Sequence, residues 1–124
     1  MHMPRLFSDP DGTSHIGKTS WPLTDARYCE GPEGYAITDA WPSTGVRLIR
    51  TPAGYVDHWH PVPEPMISVL LSGRLQVEVS DGNNYIMETG DMVLCDDTHG
   101  QGHKMNEVDG KGYDMLLVAL PIGS

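Results

Sequence analysis

Residues 68 to 95 read "SVLLSGRLQVEVSDGNNYIMETGDMVLC". Within "RLQVEV" a period of two sets Leu75, Val77 and Val79 on one face and Arg74, Gln76 and Glu78 on the other, the signature of a half-buried antiparallel strand. "SDGNN" at 80 to 84 has the chemistry of a hairpin turn and "ETGD" at 88 to 91 that of a tight reversal, because Gly, Asn and Asp accept the backbone angles that such turns require. The stretch therefore predicts consecutive short strands folded back on one another.

Outward from it the same punctuation continues. From Tyr35 onward the runs "YAITDA", "VRLIR", "MISVLLS", "RLQVEV", "YIME", "MVLC", "HKMNEV" and "YDMLLVAL" recur at strand length, and Pro121 ends the last. Turn signals separate them at intervals of about 8 to 12 residues, the spacing of a sandwich or barrel. Fourteen Gly and ten Pro in 124 residues interrupt the chain too often for long helices, and no window carries a helical apolar period. One all-β domain of about ten strands is expected. Residues 1–34, polar and broken by Pro and Gly, with anchors at Phe7, Trp21 and Tyr28, read as an arm on the barrel or on a partner subunit; residues 35–121 read as the barrel.

The formal charge is −9, with no cluster of Lys or Arg. Such a field repels phosphate backbones and anionic lipid surfaces, so neither nucleic acid nor membrane is an expected partner. No run is long enough to cross a bilayer as a helix. Cys29 and Cys95 form neither a metal-type pair nor a disulfide framework, and no apolar signal region opens the chain; free structural thiols in a reducing cytoplasm are the expectation.

Two segments concentrate chemistry: "DHWHPVPEPM" at 57 to 66 and "DDTHGQGH" at 96 to 103. His58 and His60 are two residues apart, and in an extended chain both imidazoles point the same way. Strand parity likewise relates His99 to His103. Trp59, out of phase with the pair, is expected against the N-terminal arm or a partner. Arg47 and Arg50 are candidate receivers of a substrate carboxylate, with surface ion pairs as the alternative. Gly100 and Gly102 suit a tight loop at the mouth of a barrel.

The segment from Gly54 to about Asn106 resembles the cupins, small jelly-roll barrels with two signature segments joined by a hairpin. The resemblance implies a double-sheet barrel with a pocket at one mouth, often assembled as a homodimer. In the first signature, anchored on Gly54 and Gly73, the metal-ligand positions fall on His60, Val62 and Met66; in the second, anchored on Gly90, the last falls on Gln101, with His103 two residues later. A narrower likeness, to small cupins that pair "WHPVP" with "DDTHGQGH", supports His60 and His103 as pocket residues.

Three readings of the pocket follow. In the first, His58, His60 and His103 hold a divalent transition metal, Zn²⁺, Fe²⁺, Ni²⁺ or Mn²⁺, at a displaced site, with no organic cofactor. In the second, His60 and His103 exchange protons with a small organic substrate, with Asp96 or Asp97 orienting one ring and Val62, Met66 and Gln101 contacting the substrate, as in an isomerase, a lyase or dehydratase, or a cyclase. In the third the barrel binds a small ligand without changing it. The balance favours an enzyme, and among the readings the displaced metal site comes first.

Overall fold

The computed structural model of the protein describes residues 1–26 and 34–121. Eleven strands run through them: β1 His2–Ser8, β2 Ser14–Ser20, β3 Thr24–Ala26, β4 Tyr35–Ile37, β5 Gly45–Thr51, β6 Met66–Ser72, β7 Leu75–Val79, β8 Asn84–Met87, β9 Met92–Asp96, β10 His103–Glu107 and β11 Tyr113–Ala119. There is no helix among the described residues. Tyr28 and Cys29 lie outside them.

A six-stranded sheet in the order β2-β1-β9-β6-β11-β5 packs over a three-stranded sheet in the order β10-β7-β8, and β3 pairs with β4 separately. This is the double-sheet jelly roll that the spacing of runs and turns implies. The opening meander behaves as its pattern predicts: Leu75, Val77 and Val79 are fully buried, while Arg74 is exposed. Between the sheets Leu6, Leu70, Leu75, Val77, Met87 and Val93 are sealed from solvent, each worth about 1.5–3 kcal/mol of burial against the extended chain.

The N-terminal segment is built into the large sheet. Strand β1 pairs antiparallel with β2 along its whole length and parallel with β9 through Arg5↔Leu94, Leu6↔Cys95 and Phe7↔Asp96. Leu6 thereby enters the main core, and Met3 joins a second cluster with Trp21, Leu94 and Leu120. Polar composition and frequent Pro and Gly conceal this role, because β2 carries its strand pairing on "SHIGKTS" with few apolar side chains.

At the end of the barrel that holds the two histidine segments, backbone hydrogen bonds tie the segments together. His60 N donates to the His103 carbonyl at 3.1 Å, His103 N donates to the His60 carbonyl at 3.0 Å, and Val62 N donates to the Asp97 carbonyl at 3.1 Å. Pro61 and Pro63 fall between and after the donating residues, so the ring nitrogens that lack hydrogen cost no bond. The exchange brings the two chains so close that a Cβ on Gly102 would sit 1.9 Å from the His60 carbonyl oxygen, and Gly102 also has φ of 72°. Glycine is the residue that fits there.

Candidate functional site

Inward side chains at this end enclose a cavity of about 210 Å³, bounded by β5, β6, β9, β10, β11 and the segment 55–62. Its mouth lies at Tyr55 and His60, both about half exposed, and its floor at Ser68 and Cys95, which are sealed. The walls are mainly Ile49, Val62, Met66, Met105, Met115 and Leu117. Alternation places them: Tyr113, Met115 and Leu117 share one face of β11, and Ile49 and Thr51 share the facing side of β5.

Two imidazoles meet here. The rings of His60 and His103 lie 5.0 Å apart between centroids. His103 is buried, and its Nδ1 is 2.5 Å from Asp97 Oδ2, with Asp97 itself 0% exposed. His60, 48% exposed in its side chain, has Nδ1 2.6 Å from the His58 carbonyl and 3.5 Å from Asp57 Oδ1. A carbonyl can only accept, so Nδ1 of His60 carries hydrogen and Nε2 is left with its lone pair. The carboxylate orders His103 in the same way, so both rings keep Nε2 for a molecule in the cavity.

Asp57 is held in turn. Its Oδ2 accepts from Met105 N at 2.9 Å, and its own N donates to Asn106 Oδ1 at 2.8 Å. Tyr113 completes the polar side near the mouth; burial pushes its hydroxyl up from the ordinary phenol range, against a hydrogen bond with Thr51. At the floor, burial pushes the Cys95 thiol up to about 12, so the expectation of a structural thiol fits a protonated, poorly nucleophilic group.

Of the residues singled out from sequence, His60, Val62, Met66 and His103 line the cavity. His58 and Gln101 are exposed and lie outside its lining. Residues 57–59 are not in a strand, so the period of two fails there, and His58 contributes its carbonyl instead of its ring. Gly100 and Gly102, at φ of 77° and 72°, break the parity between His99 and His103. His99 turns outward, with Nε2 3.0 Å from the Asp9 carbonyl, and Gln101 N donates to the Gly12 carbonyl at 3.2 Å. Trp59 is half exposed beneath the Lys104 ammonium, 5.0 Å from the ring centroid. Arg50 faces outward and pairs with Asp114 at 2.9 Å.

The donor sets for a metal can be compared directly. At the positions where the cupin resemblance implies ligands, His60 offers nitrogen, Val62 and Met66 offer hydrocarbon and thioether walls, and Gln101 lies outside. The alternative trio His58, His60 and His103 is not brought together. Among the described residues one group of three, Cys95, Asp97 and His103, has its donor atoms within 4.8 Å of one another, a set that a metal ion could take. As folded, Asp97 and His103 are bonded to each other and burial pushes the thiol up to about 12.

Sequence reasoning missed Asp57, Thr51, Tyr55 and Tyr113. The alternation within "VRLIRT" and "YDMLLVAL" carried the signal for Thr51 and Tyr113. Nothing in the pattern marked Asp57 or Tyr55, which sit on irregular chain.

No protein-family model and no curated protein matches the chain. Among solved structures, the cupin domain of Schizosaccharomyces pombe Cnp3 superposes with a TM-score of 0.52 at 14% identity, over 87% of this chain and 73% of that one. Protein NMB1881 from Neisseria meningitidis gives 0.49 at 15% identity over 83% and 87% of the two chains. A putative ethanolamine utilization protein Q from Salmonella typhimurium gives 0.46 at 15% over 99% and 98%. Likeness at such identity is likeness of fold. With the two packed sheets, the hairpin-linked signature segments and the Cnp3 superposition in agreement, the chain is a small cupin-fold jelly roll.

Proposed function

We propose that the barrel is an enzyme that moves protons on a small organic molecule held between His60 and His103, as in isomerisation or in the loss or addition of water beside a carbonyl. The observation that carries this reading is the pair of imidazoles, both lining one cavity, whose Nδ1 atoms are each occupied by an acceptor, so that Nε2 is the nitrogen left on each ring. A neutral ring takes a proton at Nε2 and the partner ring, protonated, returns one elsewhere on the same molecule. Asp97 stabilises the imidazolium formed at His103, and Asp57 with the His58 carbonyl does so at His60. In this reading the hydroxyls of Thr51 and Tyr113, which also line the cavity, hold the oxygen on which charge develops.

Exchange of solvent deuterium into the carbon beside a carbonyl tests the proposal, with cyclohexanone as the probe. Wild-type protein should accelerate wash-in, and His60→Ala or His103→Ala should each reduce it by about 10²-fold or more. Exchange abolished by a chelator and restored by one divalent metal would replace the proposal with a metal centre. Binding with no exchange would make the barrel a ligand carrier.

A further inference from the structure

We infer that the molecule accepted by this cavity is uncharged, apolar over most of its surface with a polar function at one end, and no larger than about ten non-hydrogen atoms. The inference takes the acid–base site as its setting and adds the class of its substrate.

Size comes first. The cavity encloses about 210 Å³, and a space of about 150 Å³ is filled by a benzene ring. One ring with a single substituent therefore fits, whereas two fused rings that also carry a substituent, as in naphthamide, exceed it.

Charge decides the class. The lining carries two imidazoles and the Asp57 carboxylate, and no Lys or Arg among the described residues. The cations nearest in the fold are engaged elsewhere: Arg50 with Asp114, Arg5 with Asp96, and Lys104 with Glu78 and the Trp59 ring. Arg47, on β5, is exposed and does not line the cavity. An entering carboxylate or phosphate would meet the Asp57 carboxylate in the lining and no Lys or Arg, so only an imidazole could repay its lost hydration. A net charge of −9 works in the same direction. An amide, ketone or alcohol escapes both penalties, and hydroxyls and imidazole nitrogens suit its single polar end.

Polarity is divided by position. Hydrocarbon and thioether groups form most of the walls; Thr51 pairs across strands with Tyr113, His60 bridges to His103, and at the floor the Ser68 hydroxyl and the Cys95 thiol lie 3.8 Å apart, engaged with each other. A molecule polar at both ends would set its inner end against this already paired hydroxyl and thiol and the surrounding hydrocarbon.

Methyl-¹³C methionine spectroscopy reads the cavity directly, since Met66, Met105 and Met115 line it. Benzamide and benzoate are matched in shape and differ in charge. At pH 8 benzamide should shift these three methyl signals along one saturation curve, benzoate should bind at least about tenfold more weakly, and naphthamide should leave them unmoved. Met66→Lys, which adds a cation to the wall, should reverse the preference between the matched pair. Benzoate binding as tightly as benzamide would overturn the inference, and loss of that binding in Arg47→Ala would assign the carboxylate to Arg47. So would the absence of any shift with benzamide up to its solubility limit. Selective benzamide binding by a protein without deuterium exchange removes the catalytic proposal alone; exchange with equal binding of benzoate removes this inference alone.

Discussion

Asp97 is sealed from solvent, its Oδ2 bonded to His103 and its Oδ1 without a partner among the described residues. A carboxyl group buried with half its capacity unused is costly, which points to a role in orienting the ring and not to stability alone. Asp97→Asn preserves shape and replaces the charged acceptor. The strongly deshielded Nδ1 proton of His103 should vanish from the proton spectrum, and any turnover should fall about 10²–10⁴-fold with little change in KM. Retention of both would reduce Asp97 to packing. For Cys95, burial has raised the thiol far from the thiolate form, so in a Cys29→Ser background it should resist a bulky disulfide reagent at pH 8 and react at once in urea. At this scale the sequence was informative where the chain is regular. His103 begins a strand and His60 bridges to it, so both face the cavity. His58 and Gln101 stand on irregular or glycine-bent chain, where spacing does not fix direction.

Strands and turns follow from alternation and turn chemistry, which act locally; the joining of β1 to β9 does not, because it links residues 5–7 to 94–96 through backbone that any side chain supplies. Gly102 connects the two levels. Gly102→Ala forces a Cβ into the His60 carbonyl and should lower stability by about 2 kcal/mol or more, seen as a lower urea midpoint at unchanged slope. An unchanged midpoint would mean that the His60–His103 bridge is not formed. A second link joins the β1–β2 turn to the β7–β8 turn: His15 Nε2 lies 2.7 Å from Asp9 and Nδ1 2.8 Å from Asp81. Hydrogen bonds donated to Asp9 and then to Asp81 raise this imidazole above its ordinary value; Asp9 is lowered chiefly by His15, and Asp81 chiefly by the Asn83 backbone. The histidine's stabilising contribution is therefore complete below about pH 6.5 and lost as pH climbs through its raised value, while the carboxylates' contribution holds above about pH 4 and is lost on acidification. The Tm difference between wild type and His15→Ala should be largest in the mildly acidic window and shrink toward about pH 9. A difference independent of pH would contradict the charged clamp.

For the whole molecule, an acidic barrel whose described cations are mostly paired on its outside presents a small cavity with hydrocarbon walls and two imidazoles. The class of fold was legible because jelly-roll periodicity and turns are written residue by residue. The cavity was legible only in part, since Asp57 and Tyr55 reach it through the path of a loop, and that path depends on contacts between segments about fifty residues apart, such as Asp57 with Met105. The central claim is that His60 and His103 present their Nε2 atoms to one space. Long-range ¹H–¹⁵N correlation spectra of imidazole-labelled protein titrated with benzamide address it most directly. The structure predicts hydrogen on Nδ1 of both rings, with their Nε2 signals moving together on a single saturation curve while His58 and His99 stay still. Movement of one ring alone, or of His58 or His99 in their place, would contradict it.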